Sequence, residues 1–458
     1  MKKTYRLMAG TLLCLSLCCS AVRAAVTAEE ARQLGGTLTL FGAEREGNAD
    51  KTIPAYTGGL TTIPPGFQSN VGLRPDPFAA DKPVYAITQA NLAEHEKKLS
   101  AGTRELLTRY PKTMRVDVYP THRPVAYPKY VLDNTVKNAT SAKTTDGGVG
   151  IEGTYAGLPF PIPKTGNEVM WNHLLRYQGL AYQTPFDSYS VDASGRLTLG
   201  ISGEYVAYAP YYDPKRTGVS KPDDVYWMVK VLFNGPPRRA GEALMSHDFV
   251  NQGQYPRRAW QYLPGQRRVK MAPELSYDTP NPGTSGLATF DDTDLFNGSM
   301  DRYDFKLVGK REMVIPYSAF KAVYTKEKPE VFATPNHANP DFQRWELHRV
   351  WVVEATLKPG KRHIYAKRVF YVDEDTWIIA ASDQYDSRGQ LFRAGFASPT
   401  AYYDVGGTSV SNQTVYDFNS GGYAIQGIVG RYKTGVIFSE PLPAAEWSPE
   451  NLAGTGIR

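Results

Sequence analysis

The stretch WELHRVWVVEATL at residues 345–357, followed by KPGK at 358–361 and RHIYAKRVFYVD at 362–373, decides the fold class. β-Branched and aromatic residues fill both arms, apolar and polar positions alternate, and Pro359-Gly360 supplies a turn, so the segment reads as an antiparallel hairpin. With Leu357 facing Arg362 across the turn, Ala355 is expected opposite Ile364, Val353 opposite Ala366, Trp351 opposite Arg368, Arg349 opposite Phe370 and Leu347 opposite Val372. One face then carries Leu347, Trp351, Val353, Ala355, Ile364, Ala366 and Phe370, which become the candidate lining of a hydrophobic cavity. The other carries Glu346, His348, Glu354, Tyr365, Lys367, Tyr371 and Asp373, as expected where one side of a sheet is packed and the other is wet. Arg349 and Arg368 interrupt the apolar face, and each has a neighbouring ring, Trp351 or Phe370, for a cation–π contact.

Outward from the hairpin the period of two persists. Strands are predicted near 196–211, 225–233, 242–250, 257–262, 266–272, 303–310, 376–385, 390–396 and 422–432. Helical patterns precede them. Thr27 with Glu30 and Thr165 with Glu168 are capping boxes, the second opening a helix to about Tyr177 with Met170, Trp171, Leu174 and Leu175 as its apolar side. A further helical region spans Thr88 to Tyr110, with Gly102 as its expected break, while 41–86 and 111–164 read as irregular chain. Helices first and a long meander after predict an α+β, mainly β protein: a curved antiparallel sheet or incomplete barrel with helices on one side. The expected organisation is a signal peptide at 1–24 and a single domain at 25–458, whose part 25–195 wraps a sheet at 196–458.

The three cysteines, Cys14, Cys18 and Cys19, all fall in the segment that reads as a secretory signal. Lys2, Lys3 and Arg6 form its basic start, Leu7 to Leu17 its apolar stretch, and Val22 and Ala24 the small residues of a cleavage site. Leu13 and Leu17 stand where an acylated cysteine would need a small neighbour, so an exported periplasmic protein is expected over a lipid-anchored one. The net charge of +6 includes Lys2, Lys3, Arg6 and Arg23 of that segment, and without them is +2. A near-neutral chain gives no electrostatic argument for nucleic acid. Tyrosine is abundant, with 30 Tyr against 18 Phe, and its apolar ring with a polar tip suits both twisted strands and a wet-mouthed pocket.

Motifs that would name a reaction fail on context. Gly148, Gly150 and Gly153 spell G-x-G-x-x-G, but neither a strand before nor a helix after frames it. Gly200–Gly203 and Gly283–Gly286 are G-x-S-G, one position short of a nucleophile elbow. The seven histidines show no H-E-x-x-H spacing, and the hairpin register sets His348 opposite Tyr371 and not His363. Asp291, Asp292 and Asp294 resemble a calcium loop until Phe296, where a third oxygen ligand is needed; they and the Asp373-Glu374-Asp375 run read first as turns. No cofactor, metal site or catalytic residue is assigned.

Several long runs are similar to the exported bacterial family called domain of unknown function 1329. They are Phe41-Gly42-Ala43-Glu44-Arg45-Glu46-Gly47-Asn48 with Thr52-Ile53-Pro54-Ala55 and Gly58-Gly59; Asp76-Pro77-Phe78; Tyr119-Pro120-Thr121-His122-Arg123; and Pro159-Phe160-Pro161-Ile162-Pro163 with Met170-Trp171-Asn172-His173. Phe296-Asn297-Gly298-Ser299, His348-Arg349-Val350-Trp351-Val352-Val353-Glu354, Asp373-Glu374-Asp375-Thr376-Trp377 and Tyr385-Asp386-Ser387-Arg388-Gly389 complete the set. The resemblance implies a relation to outer-membrane lipoprotein-sorting proteins of the LolA/LolB type, with helices over a cavity that receives acyl chains. It also implies an envelope transport pathway shared with an outer-membrane β-barrel-like protein and an export pump of the resistance-nodulation-division (RND) class. The expected function is a periplasmic carrier of a hydrophobic molecule, without covalent chemistry. The rivals are an envelope enzyme acting on a lipid or glycan through two Asp or Glu carboxylates in one pocket, and a scaffold component of an outer-membrane export system. A transmembrane barrel is disfavoured by Pro-rich interruptions of the strand region.

Overall fold

The computed structural model describes residues 26–409 and 412–455; the signal-like segment with its three cysteines lies outside them. Sixteen strands form one sheet, long, curved and not closed into a barrel. They are β1 (Tyr85–Ile87), β2 (Val116–Val118), β3 (Ala181–Val191), β4 (Leu197–Tyr208), β5 (Val225–Gly235), β6 (Ala243–Phe249), β7 (Arg258–Leu263), β8 (Arg268–Met271), β9 (Tyr303–Pro316), β10 (Trp345–Leu357), β11 (Lys367–Asp373), β12 (Ile379–Tyr385), β13 (Leu391–Ala397), β14 (Gln413–Asp417), β15 (Gly422–Ile428) and β16 (Ile437–Phe438). The order is β1-β2-β10-β11-β12-β13-β14-β15-β3-β4-β5-β6-β7-β8, with β9 also on β10 and β16 also on β3. All neighbours are antiparallel except β2, which meets β10 in parallel at Val118 and Trp345. Among the described residues no helix is long and apolar enough to cross a membrane.

The expected strands are present, but the 345–373 hairpin has a different register. Trp351 pairs with Val372, Val353 with Phe370 and Ala355 with Arg368, a slip of four residues, an even number, that leaves these paired residues on their expected faces. The cause is the connection. Residues 358–366 form one long link in place of a four-residue turn, so Ile364 and Ala366 leave the strand, and Ile364 N is held by Asp278 at 2.9 Å. The face expected to be wet is covered instead: Glu346, His348, Tyr365 and Asp373 are all buried. Arg368 does lie over Phe370, 5.0 Å from its centroid. Arg349 does not stack on a ring, but reaches Glu374 Oε1 at 3.1 Å.

Five helices lie in the N-terminal part: α1 (Ala28–Ala31), α2 (Leu92–His95), α3 (Ala101–Arg109), α4 (Lys129–Ser141) and α5 (Gly166–Leu174). Thr27 caps α1 in a full capping box, and Thr165 Oγ1 accepts Glu168 N at 3.2 Å to cap α5. The expected helical region 88–110 breaks at Leu99 and not at Gly102. Gly102 sits inside α3 because a Cβ there would fall 2.3 Å from Ala394 Cβ, so the missing side chain lets the helix lie on β13. Asp383, buried in β12, accepts Ala101 N and Gly102 N and fixes the start of α3. Helix α4 falls in chain read as irregular from sequence, since its KYVLDNTVKNATS run mixes poor helix formers with a sparse apolar side.

Strand β3 was also illegible, because Pro185 and a run of polar residues punctuate it. Its partner edge explains the tolerance: β15 reaches Asp187 and β16 resumes at Gln183, so Pro185 falls in the gap between two partners and no ladder bond needs its missing N–H.

The sheet has a core on each face. On the inner face, Val353, Ala355, Phe370 and Val372 pack with Val169, Met170 and Trp171 of α5 and with Trp377 and Phe296. On the outer face, Val350, Val352, Tyr371 and Ala381 pack with Leu106 and Leu107 of α3. Leu347 joins this outer cluster, apart from Val353. The inner row is continuous across the sheet, from Val353 through Phe370, Ser382, Gly395, Val415 and Ala424 to Ser190.

Candidate functional site

Beyond Ser190 the inner face turns hollow. Alternate residues of β3 to β7 point into it, as the period of two requires: Tyr182, Thr184, Phe186 and Ser188; Ile201 and Tyr205; Val229, Val231 and Phe233; Leu244 and Ser246; and Ala259. Two lobes, about 120 and 180 Å³, share Phe186, Ser188, Tyr205, Thr293 and Gln426 along their border. No α-helix covers this part among the described residues. Short 3-10 turns at Pro273–Ser276 and Phe290–Leu295 and the irregular chain around them roof it, contributing Leu275, Asn281, Phe290, Thr293 and Asn297.

Small residues make the room. Gly203 lies in the inner row between Phe186 and Phe233, and a Cβ there would meet Leu232 O at 2.5 Å, so the Phe186 ring occupies the side-chain space instead. The two G-x-S-G runs serve the roof. A Cβ on Gly200 would fall 2.0 Å from Gly283 O, and Ile201 packs under Gly283; the motif permits close backbone approach and builds no nucleophile elbow.

The larger lobe is apolar with one charged pair. Arg257 is held by Asp248 through Nε at 2.6 Å and Nη2 at 3.1 Å, and its Nη2 also donates to Asn297 Oδ1 at 2.6 Å. Burial works against the Arg257 charge, yet the Asp248 carboxylate outweighs it and raises the guanidinium pKa. The smaller lobe is more polar, with Thr184, Ser188, Asn412, Gln413 and Gln426. Asn412 is 3% exposed, and its Nδ2 has no hydrogen-bond partner among the described residues. Burial raises the Tyr182 and Tyr205 phenols above their ordinary value, so both rings present neutral hydroxyls. The one carboxylate lining either lobe, Asp294, is bound by Arg176 Nη2 at 2.5 Å.

Of the seven residues expected from sequence to line a cavity, Val353, Ala355 and Phe370 lie buried in the inner core, with Trp351 packed against it; Leu347 is in the outer cluster, and Ile364 and Ala366 are in the 358–366 link. The two lobes are lined by other residues of the same face. A signal for the larger lobe was present, in the alternation of Val229, Val231, Phe233, Leu244 and Ser246. The smaller lobe depends on β3, whose polar run hid it.

The aspartate clusters are structural joints. Asp291 Oδ2 accepts from Arg368 Nη1 at 2.8 Å and lies 3.0 Å from His363 Nε2, while Asp292 binds Arg368 Nη2 at 2.8 Å and Tyr365 Oη at 2.7 Å. Burial opposes the Asp291 charge, but Arg368 and His363 hold its pKa below the usual carboxylate range. This joint ties the roof to β11. The runs quoted for the family converge on a second joint, at the turn after β11: Arg123 binds Asp375 at 2.8 and 2.7 Å, Lys310 bridges Glu44 and Glu374 at 2.9 and 2.7 Å, and His348 Nε2 lies 3.2 Å from Glu346 Oε2. His173 Nδ1 meets Trp377 O at 3.1 Å, and its Nε2 meets Phe296 O at 3.0 Å. Glu374 and Asp375 are 1–2% exposed and Glu346 is fully buried, whereas Glu44 stands half-buried at the rim of the joint.

A hollow-ended, open antiparallel sheet with an N-terminal wrap thus defines a mainly β protein organised around a cavity. The chain belongs to the family described as protein of unknown function (DUF1329), which matches residues 86–453. It is 41% identical over 458 residues, the full length of both chains, to the uncharacterized protein PA3922 of Pseudomonas aeruginosa. Among solved structures, a putative outer membrane lipoprotein-sorting protein domain from Vibrio parahaemolyticus aligns at 14% identity and a TM-score of 0.43, covering 62% of this chain and 97% of that one. A DUF1329 family protein from Desulfovibrio piger aligns at 15% identity and a TM-score of 0.41, covering 60% and 92%. A LolA superfamily protein from Nitrosomonas europaea gives 11% and 0.38, covering 63% and 100%.

Proposed function

We propose that this protein is a periplasmic carrier that holds a hydrophobic, lipid-like molecule in the two-lobed cavity by apolar burial, without covalent chemistry. The observation that carries this reading is the larger lobe, where Ile201, Val229, Val231, Phe233, Leu244, Ala259 and Phe290 surround open space on a face that is otherwise filled. Each methylene removed from water there contributes about 0.8 kcal/mol, so a chain of several carbons binds without any catalytic group. Support for simple binding also comes from the charges: the one carboxylate at the lobes is already paired with Arg176, whereas hydrolysis by two carboxylates needs both facing one substrate. The family resemblance supports a place in an envelope transport pathway, with an outer-membrane β-barrel-like protein and an RND-type pump as the partners.

Native mass spectrometry of protein purified from its own periplasm tests the reading. A co-purified lipid-like mass that Val231→Trp removes is the expected result. Retention of the same mass by that variant would place the molecule elsewhere.

A further inference from the structure

Strand β8 ends the sheet next to the larger lobe, and its register decides what lies beyond the apolar lining. Arg268 pairs with Leu263, Lys270 with Gln261 and Met271 with Trp260. Ala259 lines the lobe, so Gln261 and Leu263, two and four residues on, share its face, and their partners Lys270 and Arg268 do too. Lys270 is the diagonal neighbour of Ala259, a separation of about 7–8 Å between such positions. The opposite face of the same hairpin, with Trp260, Tyr262 and Val269, is covered by the C-terminal segment through Trp447 and Leu452. The inner face therefore runs from apolar lobe to two cations at the free edge of the sheet.

These cations differ from the others at the cavity. Arg257 and Arg176 are neutralised by Asp248 and Asp294. Arg268 and Lys270 are exposed and form no ion pair among the described residues, and residues 258–271 contain no Asp or Glu. An apolar lobe whose sheet face continues beyond its lining to two cations without an ion pair among the described residues matches an amphiphile whose head is an anion.

Building on the carrier reading, we propose that the ligand is an anionic amphiphile, its chain in the larger lobe and its carboxylate or phosphate head against Arg268 and Lys270 at the sheet edge. Charge-assisted hydrogen bonds from the guanidinium and ammonium would fix the head and set the direction of entry, chain first. The cost of the charge stays small because the head remains in water at the edge.

The test titrates the protein with 11-(dansylamino)undecanoic acid and with its methyl ester, following dansyl fluorescence. The wild type is expected to bind the acid roughly tenfold more tightly than the ester, a preference that high salt weakens. In R268Q/K270Q the acid should fall to the ester's affinity while the ester is unchanged; both side chains are exposed, and circular dichroism checks the fold. Equal, tight binding of acid and ester by the wild type would overturn the anionic head and leave the apolar carrier standing. A preference for the acid that survives in R268Q/K270Q, or an equal loss for both probes, would also overturn it. Binding of neither probe by the folded wild type would remove the carrier reading and this inference together.

Discussion

The two ends of the inner face share one row of alternating strand residues and differ in what lies on top of it. At the β10–β11 end, Val353, Ala355 and Phe370 meet Met170 and Trp171 of α5, Trp377 and Phe296, and the space is full. At the β3–β7 end the same face mixes small residues such as Ser188, Gly203, Ser246 and Ala259 with larger ones, under short 3-10 turns and irregular chain, and two lobes remain open. A face pattern alone therefore says which residues point inward, while the covering element determines whether they form a core or a cavity. The polar chemistry divides in the same way. Buried Arg368 and Arg123 serve as joints that hold the roof and the wrap, whereas Arg268 and Lys270, which form no ion pair among the described residues, stand at the open edge.

The largest expected effect is at the joint between the two ends. Arg368 is fully buried and bound to Asp291, Asp292 and Leu295 O. Replacing it with Met strands two buried carboxylates, and urea unfolding should show a loss of about 3–5 kcal/mol. A loss under 1 kcal/mol would mean that the joint does not hold the roof.

Enlarging one side chain at each end breaks or sharpens the comparison directly. Val353→Trp must displace packed neighbours and should cost roughly 1–3 kcal/mol while leaving uptake of a fluorescent fatty-acid probe intact. Val231→Trp should occupy the larger lobe, change stability little and abolish uptake. The reverse pattern would exchange the assignments of core and cavity.

The α5 cap should matter less. Thr165→Ala removes the acceptor for Glu168 N at the helix that fills one end, at a cost of about 1 kcal/mol in denaturation midpoint terms. An unchanged midpoint would detach the cap from the stability of the filled end.

The smallest effect is a pH dependence at the second joint. Burial works to lower the His348 pKa, but its hydrogen bond to Glu346 and the Asp373 charge outweigh it and raise the folded value. A raised histidine contributes stability that is fully present below its unfolded pKa of about 6.5 and is lost as pH rises through the folded value. The wild type's advantage over His348→Gln should therefore be greatest below about pH 6.5 and shrink above it. Comparing the two proteins cancels the opposite trend of His173, whose folded pKa burial lowers. An advantage that grows with pH would show His348 neutral in the fold.

Much of the architecture was legible because strand burial imposes a local period. The β10 limits, the alternation of the hairpin faces and the caps at Thr27 and Thr165 all depend on residues within a few positions of one another. The hairpin register was not legible, because Ile364 is held by Asp278, which is remote in sequence. Nor was the covered outer face, since no local pattern says that α3 will dock on Asp383.

The sequence by itself determined a mainly β chain, the inward and outward residues of its strands, and a resemblance to a family, several of whose runs, around Glu44, Arg123, His348 and Asp375, meet at one joint. The tertiary structure alone decided where the cavity lies, because that depends on how far α5 and the wrap extend over a continuous face. It also decided that Arg268 and Lys270 of β8 form no ion pair among the described residues, since an ion pair is made by whichever carboxylate the fold brings near.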